Sequence, residues 1–244
     1  MSSKWVSRIG SSRPDRPLLL VFPHAGSGPS AYQRWRTVVP LEVEVLAVRF
    51  PGRETRIREP LVPDVETLVK ETADGLAEIL QGRRFAFLGH SVGSLVAYEL
   101  ALLLRRQGLP GPVCLGVSGY PAPQVRIPDP LHEVPDEKLL SFLLERQYVP
   151  RSLLSQRGFL QMFLPILRAD FSLAGTYRLR AERPLECPVH AFAGASDVFA
   201  DPEELRGWAA LTEAEFSLDL FPGDHFYLFD RGDDILRKVT KPLL

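Results

Sequence analysis

Only two cysteines, Cys114 and Cys187, occur in the 244 residues. That rules out a disulfide scaffold, and the two thiols are expected to stay reduced in the cytoplasm. No Cys/His cluster has the spacing of a zinc site, so neither a metal nor a cofactor is expected. Excess charge is also missing. The net charge is −1 with 24% charged residues, which gives no reason to expect nucleic acid or an anionic membrane as partner. No apolar run approaches the roughly 18 residues of a spanning helix. The segment from Met1 to Val6 lacks the apolar core of a signal peptide. Internal repeats and low-complexity stretches are absent as well. What remains is an ordinary apolar fraction of 45% in a length that suits a single α/β domain, residues 1–244, with room for an insertion.

The chain is organised around residues 85–99. A short apolar run, Phe85 to Leu88, leads into Gly89-His90-Ser91-Val92-Gly93, and a helical apolar pattern starts at Leu95. Strand, tight turn and helix are the context of the G-x-S-x-G nucleophile elbow. The turn is so sharp that side chains at the two glycines would strike the neighbouring strand and helix. The serine hydroxyl is pushed out at the top of the sheet, at the positive end of the helix that follows. Taken alone, the pentapeptide also fits a glycine-rich turn with a bystander serine.

Further apolar runs of strand length are Leu18–Phe22, Val43–Phe50, Val113–Val117, Val189–Ala193 and Phe216–Phe221. Apolarity on both faces marks the first of these as a buried strand of a parallel sheet. Residues 1–16 read as a loose polar arm. After Phe22 comes the small-residue loop Pro23-His24-Ala25-Gly26-Ser27-Gly28, with a helix opening at Pro29 or Ser30. A loop here can bring a backbone amide to a substrate, and Ala25 is the candidate. The loop from Pro51 to Pro60 carries Arg53, Glu54, Arg56 and Arg58, and the plain reading of such a run is a solvated loop. Residues 64–81 have the apolar spacing of an amphipathic helix, with Asp64 as N-cap and Gly82 as terminator. The βαβ alternation then breaks. Residues 124–184 contain no convincing strand and read as helices, one at Asp136–Arg146 and one or two within 151–180. Such an insertion, rich in Leu and Phe, is expected to form a helical lid over the site. A helix at Pro202–Ala210 with Asp201 as N-cap, and a closing helix from about Asp233, complete the pattern.

Asp197 and His225 each lie just past a strand, at the carboxyl edge where open α/β sheets build their sites. The order Ser91, Asp197, His225 is that of α/β-hydrolases. In that arrangement His225 is the base, Asp197 fixes its tautomer, and the amides of Ala25 and Val92 hold the oxyanion. Of the rival acids, Asp201 reads as a helix cap and Asp224 as pointing away from its neighbour His225. Of the other histidines, His24 reads as a loop residue that fixes backbone shape, and His190 as a packed strand residue.

With these residues assembled, the chain resembles the type II thioesterases, the free-standing editing enzymes of polyketide synthases and nonribosomal peptide synthetases. The resemblance spans nearly the whole chain. It rests on Phe22-Pro23-His24-Ala25-Gly26, on Phe50-Pro51-Gly52-Arg53-Glu54 with Glu59-Pro60, and on the elbow. It rests further on Ser118-Gly119 with Ala122-Pro123, on Leu164-Pro165-Ile166-Leu167-Arg168-Ala169-Asp170 with Tyr177, and on Gly223-Asp224-His225-Phe226. It implies an α/β-hydrolase fold with a mobile lid, and hydrolysis of acyl thioesters from the phosphopantetheine arm of an acyl or peptidyl carrier protein. Such a partner presents an acidic helix, and Arg146, Arg151 and Arg157 are candidates for a complementary basic patch. Medium-chain fatty acyl thioesterases are close relatives. A carboxylester hydrolase or acyltransferase would use the same triad, and a silent carrier-binding fold would keep the scaffold. The chain departs from the family pattern at Val92, often methionine, at Ser27 and Asp224, often glycine, and at Val198, commonly proline. None of these removes a catalytic side chain, and Val92 still supplies its amide.

Overall fold

Strands that are apolar on both faces need cover on both, and that requirement sets the architecture. The computed structural model describes residues 3–125, 131–146, 148–149, 152 and 156–244. Its sheet contains β1 (Val6–Ile9), β2 (Leu18–Phe22), β3 (Glu44–Val48), β4 (Phe85–His90), β5 (Leu115–Ser118), β6 (Val189–Gly194) and β7 (Phe216–Phe221). Their order across the sheet is β1-β3-β2-β4-β5-β6-β7. All neighbours are parallel except β1, which runs antiparallel to β3. Every residue of β2 to β6 is buried.

Alternate side chains of each strand feed two separate cores. Leu18, Leu20 and Phe22 face one side, with Leu46, Val48, Phe85 and Phe87. That core is closed by α1 (Val65–Leu80) and α2 (Val92–Arg106). Leu19 and Val21 face the other, with Val45, Ala47, Ala86 and Leu88. A 3₁₀ helix at Pro29–Thr37 covers this second face through Tyr32 and Trp35, and the helix Gly232–Thr240 covers it through Ile235, Leu236 and Val239. Asp64 caps α1 as expected, its carboxylate accepting from the Thr67 amide at 2.8 Å.

Between β5 and β6 the described residues form two helices and no strand: α3 (Asp136–Glu145) and α4 (Arg157–Thr176). The latter is one helix of 20 residues that continues through Pro165 and packs against α2. Residues 126–130 of this segment, and Arg151 with its proposed charge, lie outside the described residues. After β6 come α5 (Pro202–Leu205), capped by Asp201, a 3₁₀ turn, then β7 and α6 (Gly232–Thr240).

One expectation about the strands is overturned. The segment read as a loose N-terminal arm contributes β1, which pairs Val6 with Val48 and Ile9 with Val45. Only Ile9 of its four residues is fully buried, so the hydrophobic signal was too short to mark a strand. Trp5, just before it, lies across the Arg56 guanidinium at 3.7 Å from the ring centre. Leu20, fully buried on an inner strand, offers a test of the packing. Leu20→Ala should lower the unfolding free energy by about 2–5 kcal/mol in urea denaturation. A loss below about 1 kcal/mol would contradict close packing at that point.

Candidate active site

The turn from β4 into α2 is held by close approach on both sides. A Cβ at Gly89 would lie 2.3 Å from Ser94 Cα, and one at Gly93 2.2 Å from the Phe22 carbonyl oxygen. Glycine is thus required for α2 to start against the ends of β4 and β2. Ser91 between them has φ 52° and ψ −131°, a conformation that costs a non-glycine residue on the order of 1–3 kcal/mol. It is kept there by its amide, which donates to the Ser118 carbonyl at 2.7 Å, and by its carbonyl, which accepts from Ser94 N at 2.8 Å. The Val92 N–H is the first of α2 and has no intrahelical acceptor by geometry.

Asp197 and His225 follow β6 and β7, which run parallel to β4, so all three residues emerge at one edge of the sheet. His225 Nδ1 and Asp197 Oδ2 are 2.8 Å apart, with both side chains buried. A carboxylate only accepts, so Nδ1 carries the proton and Nε2 offers its lone pair. That Nε2 is buried and has no hydrogen-bond partner among the described residues. The other Asp197 oxygen accepts from the Phe199 amide at 2.8 Å, which fixes the carboxylate plane. Ser91, Ala25 and Val92 line a single cavity of about 120 Å³ with Tyr120, Phe171 and Phe199. Phe199 in turn packs 4.8 Å from the His225 ring. A larger cavity of about 850 Å³ shares Tyr120, Pro121, Ala174 and Gly175 with the first and is also lined by His132 and Tyr177.

The rival acids are occupied elsewhere. Asp201 caps α5, and exposed Asp224 accepts from the Phe226 amide at 2.8 Å. Two further imidazoles stand beside His225. His90 lies 4.8 Å from it, ring to ring, and His24 lies 5.5 Å from His90. Burial, followed by the charge His225 can carry, pushes the pKa of His24 down to about 3 and that of His90 well below its usual value. His90 Nδ1–H donates to the Ser118 carbonyl at 3.1 Å, while the Ser118 hydroxyl meets Tyr227 Oη at 2.7 Å. His190 meets Ser217 Oγ at 2.7 Å, within the sheet.

The sequence reading missed the supports of the Ala25 loop. Arg53 and Arg56 are buried while Arg58 is exposed, so the Arg53–Arg58 run is a solvated loop only in part. Arg53 donates to both oxygens of Asp170 on α4, at 2.7 and 2.8 Å. Asp170 Oδ2 also accepts from the Gly26 amide at 2.7 Å, and Tyr148 Oη donates to the Ala25 carbonyl at 2.8 Å. Glu54 accepts from the Ser30 amide at 2.8 Å and from Arg49 Nε at 3.2 Å. Arg146, a candidate for the basic patch, stacks 3.9 Å from the centre of the Phe142 ring. Among the described residues no helix is long and apolar enough to cross a membrane, and no group of three or more His, Cys, Asp and Glu could hold a metal ion.

A thioesterase domain family model matches residues 17–243. The chain is 34% identical over 242 residues to the gramicidin S biosynthesis protein GrsT of Aneurinibacillus migulanus, covering 99% of this chain and 94% of that one. It is 36% identical over 235 residues to the medium-chain S-acyl fatty acid synthase thioesterase of Rattus norvegicus, covering 92% and 87%. Among solved structures it resembles the type II thioesterase BorB from the borrelidin biosynthetic cluster. The TM-score is 0.86 at 33% identity, with 100% and 97% of the two chains covered.

The two neutral imidazoles predict an acid-sensitive fold. Unfolded histidine takes a proton near pH 6.5, whereas folded His24 refuses it down to about pH 3. The unfolded state therefore binds more protons in that window. Stability should be complete above pH 6.5 and fall as the pH drops, by up to about 1.4 kcal/mol per pH unit for each such histidine. Urea denaturation at pH 7 and pH 5 reads the slope, and His24→Gln should reduce it. An equal slope in the variant would show that His24 is not the proton acceptor.

Proposed function

As the chain belongs to the thioesterase-domain family, we propose that it is a type II thioesterase, which removes acyl groups from carrier proteins of a polyketide or nonribosomal peptide assembly line. The observation that carries the catalytic reading is the buried Asp197–His225 pair, with His225 Nε2 unpartnered, at the sheet edge that bears the strained Ser91. In this reading Ser91 Oγ attacks the thioester carbonyl and gives its proton to His225 Nε2. The negative charge that develops on the carbonyl oxygen is held by the N–H groups of Ala25 and Val92. The C–S bond then breaks, and His225 returns the proton to the departing pantetheine thiolate. Water, deprotonated by the same nitrogen, cleaves the acyl-serine ester, releasing the carboxylic acid and restoring Ser91. Asp197 holds the tautomer and stabilises the imidazolium.

The segment 124–184 acts as the lid. Its Phe171 and Leu131 line the small cavity with Ser91, so it closes the acyl site from above. The adjoining larger cavity gives the phosphopantetheine arm a path to Ser91. Identity to a medium-chain fatty acid synthase thioesterase supports a second reading, in which the carrier belongs to fatty acid synthesis.

Ser91→Ala and His225→Ala should each lower kcat on acyl-pantetheine thioesters by on the order of 1,000-fold or more. A fluorophosphonate should label the wild type and not Ser91→Ala. Unchanged turnover in Ser91→Ala would overturn the mechanism, and faster cleavage of matched oxygen esters would overturn the thioester assignment. Short and medium acyl groups loaded on carrier proteins of the two pathway types separate the two readings of the partner.

A further inference from the structure

Ala25 sits in a turn with its own closing bond: Ser27 N donates to the His24 carbonyl at 3.1 Å. Gly26 has φ +74° and Ala25 is not among the residues of positive φ, the pattern of a type II turn. The central peptide of such a turn joins Ala25 to Gly26, and its rotation by about 180° interconverts types I and II. In this protein that one peptide group is held at both ends. Its carbonyl accepts from Tyr148 Oη at 2.8 Å, and its N–H donates to Asp170 Oδ2 at 2.7 Å. Both holding side chains are buried, and both come from the segment between β5 and β6. A flipped peptide would aim the Ala25 carbonyl at the Asp170 carboxylate and leave the Tyr148 hydroxyl without its acceptor.

The same segment shapes the turn sterically. A Cβ on Gly26 would lie 2.7 Å from both Leu167 and Phe163 of α4. Arg53 completes the assembly by gripping both oxygens of Asp170 and donating to the Ser27 carbonyl at 3.1 Å. The Ala25 N–H belongs to the preceding peptide unit, which is planar and whose His24 carbonyl takes the closing bond from Ser27 N, so the N–H points away from that bond for as long as the turn is held together.

We propose that Tyr148 and Asp170 are positioning residues for the oxyanion. They anchor the central peptide of the 24–27 turn and with it the turn as a whole, so the place of the Ala25 amide depends on the seating of the segment between β5 and β6. The proposal rests on the reading of Ser91 and Ala25 given above. It makes the covering segment part of the oxyanion-binding apparatus as well as a wall of the cavity.

The test is Tyr148→Phe, which deletes one hydroxyl and keeps the ring against Phe199 and Phe226. On an acyl-pantetheine thioester kcat should fall on the order of 10-fold or more, with KM changed less than about 3-fold. The rate of Ser91 labelling by a fluorophosphonate, whose phosphoryl oxygen takes the oxyanion position, should fall in parallel. The pH–rate profile should keep its midpoint, because His225 and Asp197 are untouched. Asp170→Asn, which loses the paired grip of Arg53, should show the same split wherever it folds. Wild-type kcat and labelling in Tyr148→Phe would overturn the proposal, as would a loss confined to KM or to the melting temperature. Ser91→Ala separates the two levels. If it is inactive while Tyr148→Phe is unimpaired, the positioning proposal alone fails. If it retains full turnover, the reading of Ser91 fails and the proposal falls with it.

Discussion

The ion pair between Arg53 and Asp170 is the contact on which the rest of the site depends. It is buried, bidentate and formed across 117 positions of sequence. Such a pair is poor evidence for stability in itself, because desolvating two charges offsets most of their attraction. Removing one partner is different, since it strands a buried charge at a cost of about 3–5 kcal/mol. The pair is therefore best understood through what it locates. It fixes α4 against the loop after β3, and it presents a carboxylate oxygen to the Gly26 amide. Glu54, the next residue after Arg53, braces Ser30 at the start of the following 3₁₀ helix. Arg53 and Glu54 thus hold the C-terminal side of the loop that carries Ala25, at Ser27 and Ser30.

This constraint explains why the covering segment and the sheet edge that bears Ser91 cannot be treated as separate layers. The sheet supplies the positions of Ser91, Asp197 and His225 through three parallel strand ends. It does not supply the shape of the loop after β2, which lies beyond the hydrogen-bond ladder. A loop of small residues has little packing of its own, and its conformation must come from groups that reach it from elsewhere. Tyr148 and Asp170 are such groups, and both leave the same segment.

How much of this was legible in the sequence follows from the range of each signal. The inner strands were legible because Leu18–Phe22 and Phe85–Leu88 are apolar on both faces, which only a covered parallel sheet requires. The convergence of Ser91, Asp197 and His225 at one edge of the sheet was legible because each sits just past the run of a parallel strand. β1 was not, because a four-residue edge strand with one buried side chain leaves almost no pattern. The charged run at Arg53–Arg58 suggested a solvated loop because nothing local reveals that Arg53 has an acid 117 residues away. The family resemblance singled out the segments containing Arg53 and Asp170 without indicating that they pair. Tyr148 gave no signal at all, since a lone tyrosine near the end of a helix reads as core. The tie between Ser118, Tyr227 and His90 was hidden for the same reason: its members are 28 and 109 residues apart.

The three clustered imidazoles show how the site directs its charge. A second positive charge 4.8 Å from His225 would cost about 3 kcal/mol at an effective dielectric of 20. The surroundings remove that conflict by leaving His24 and His90 buried and neutral, with no carboxylate bonded to either ring among the described residues. Among the described residues the His24 ring meets the Tyr32 hydroxyl, and the His90 ring meets Ser118. Asp197 contacts His225 alone of the three, and the other nearby acid, Asp224, is exposed and occupied by a backbone amide. In the proposed mechanism the proton taken from Ser91 therefore has one imidazole to settle on, because the other two were made unfit to receive it. The same burial that predicts an acid-sensitive fold leaves His225, in that mechanism, as the single base.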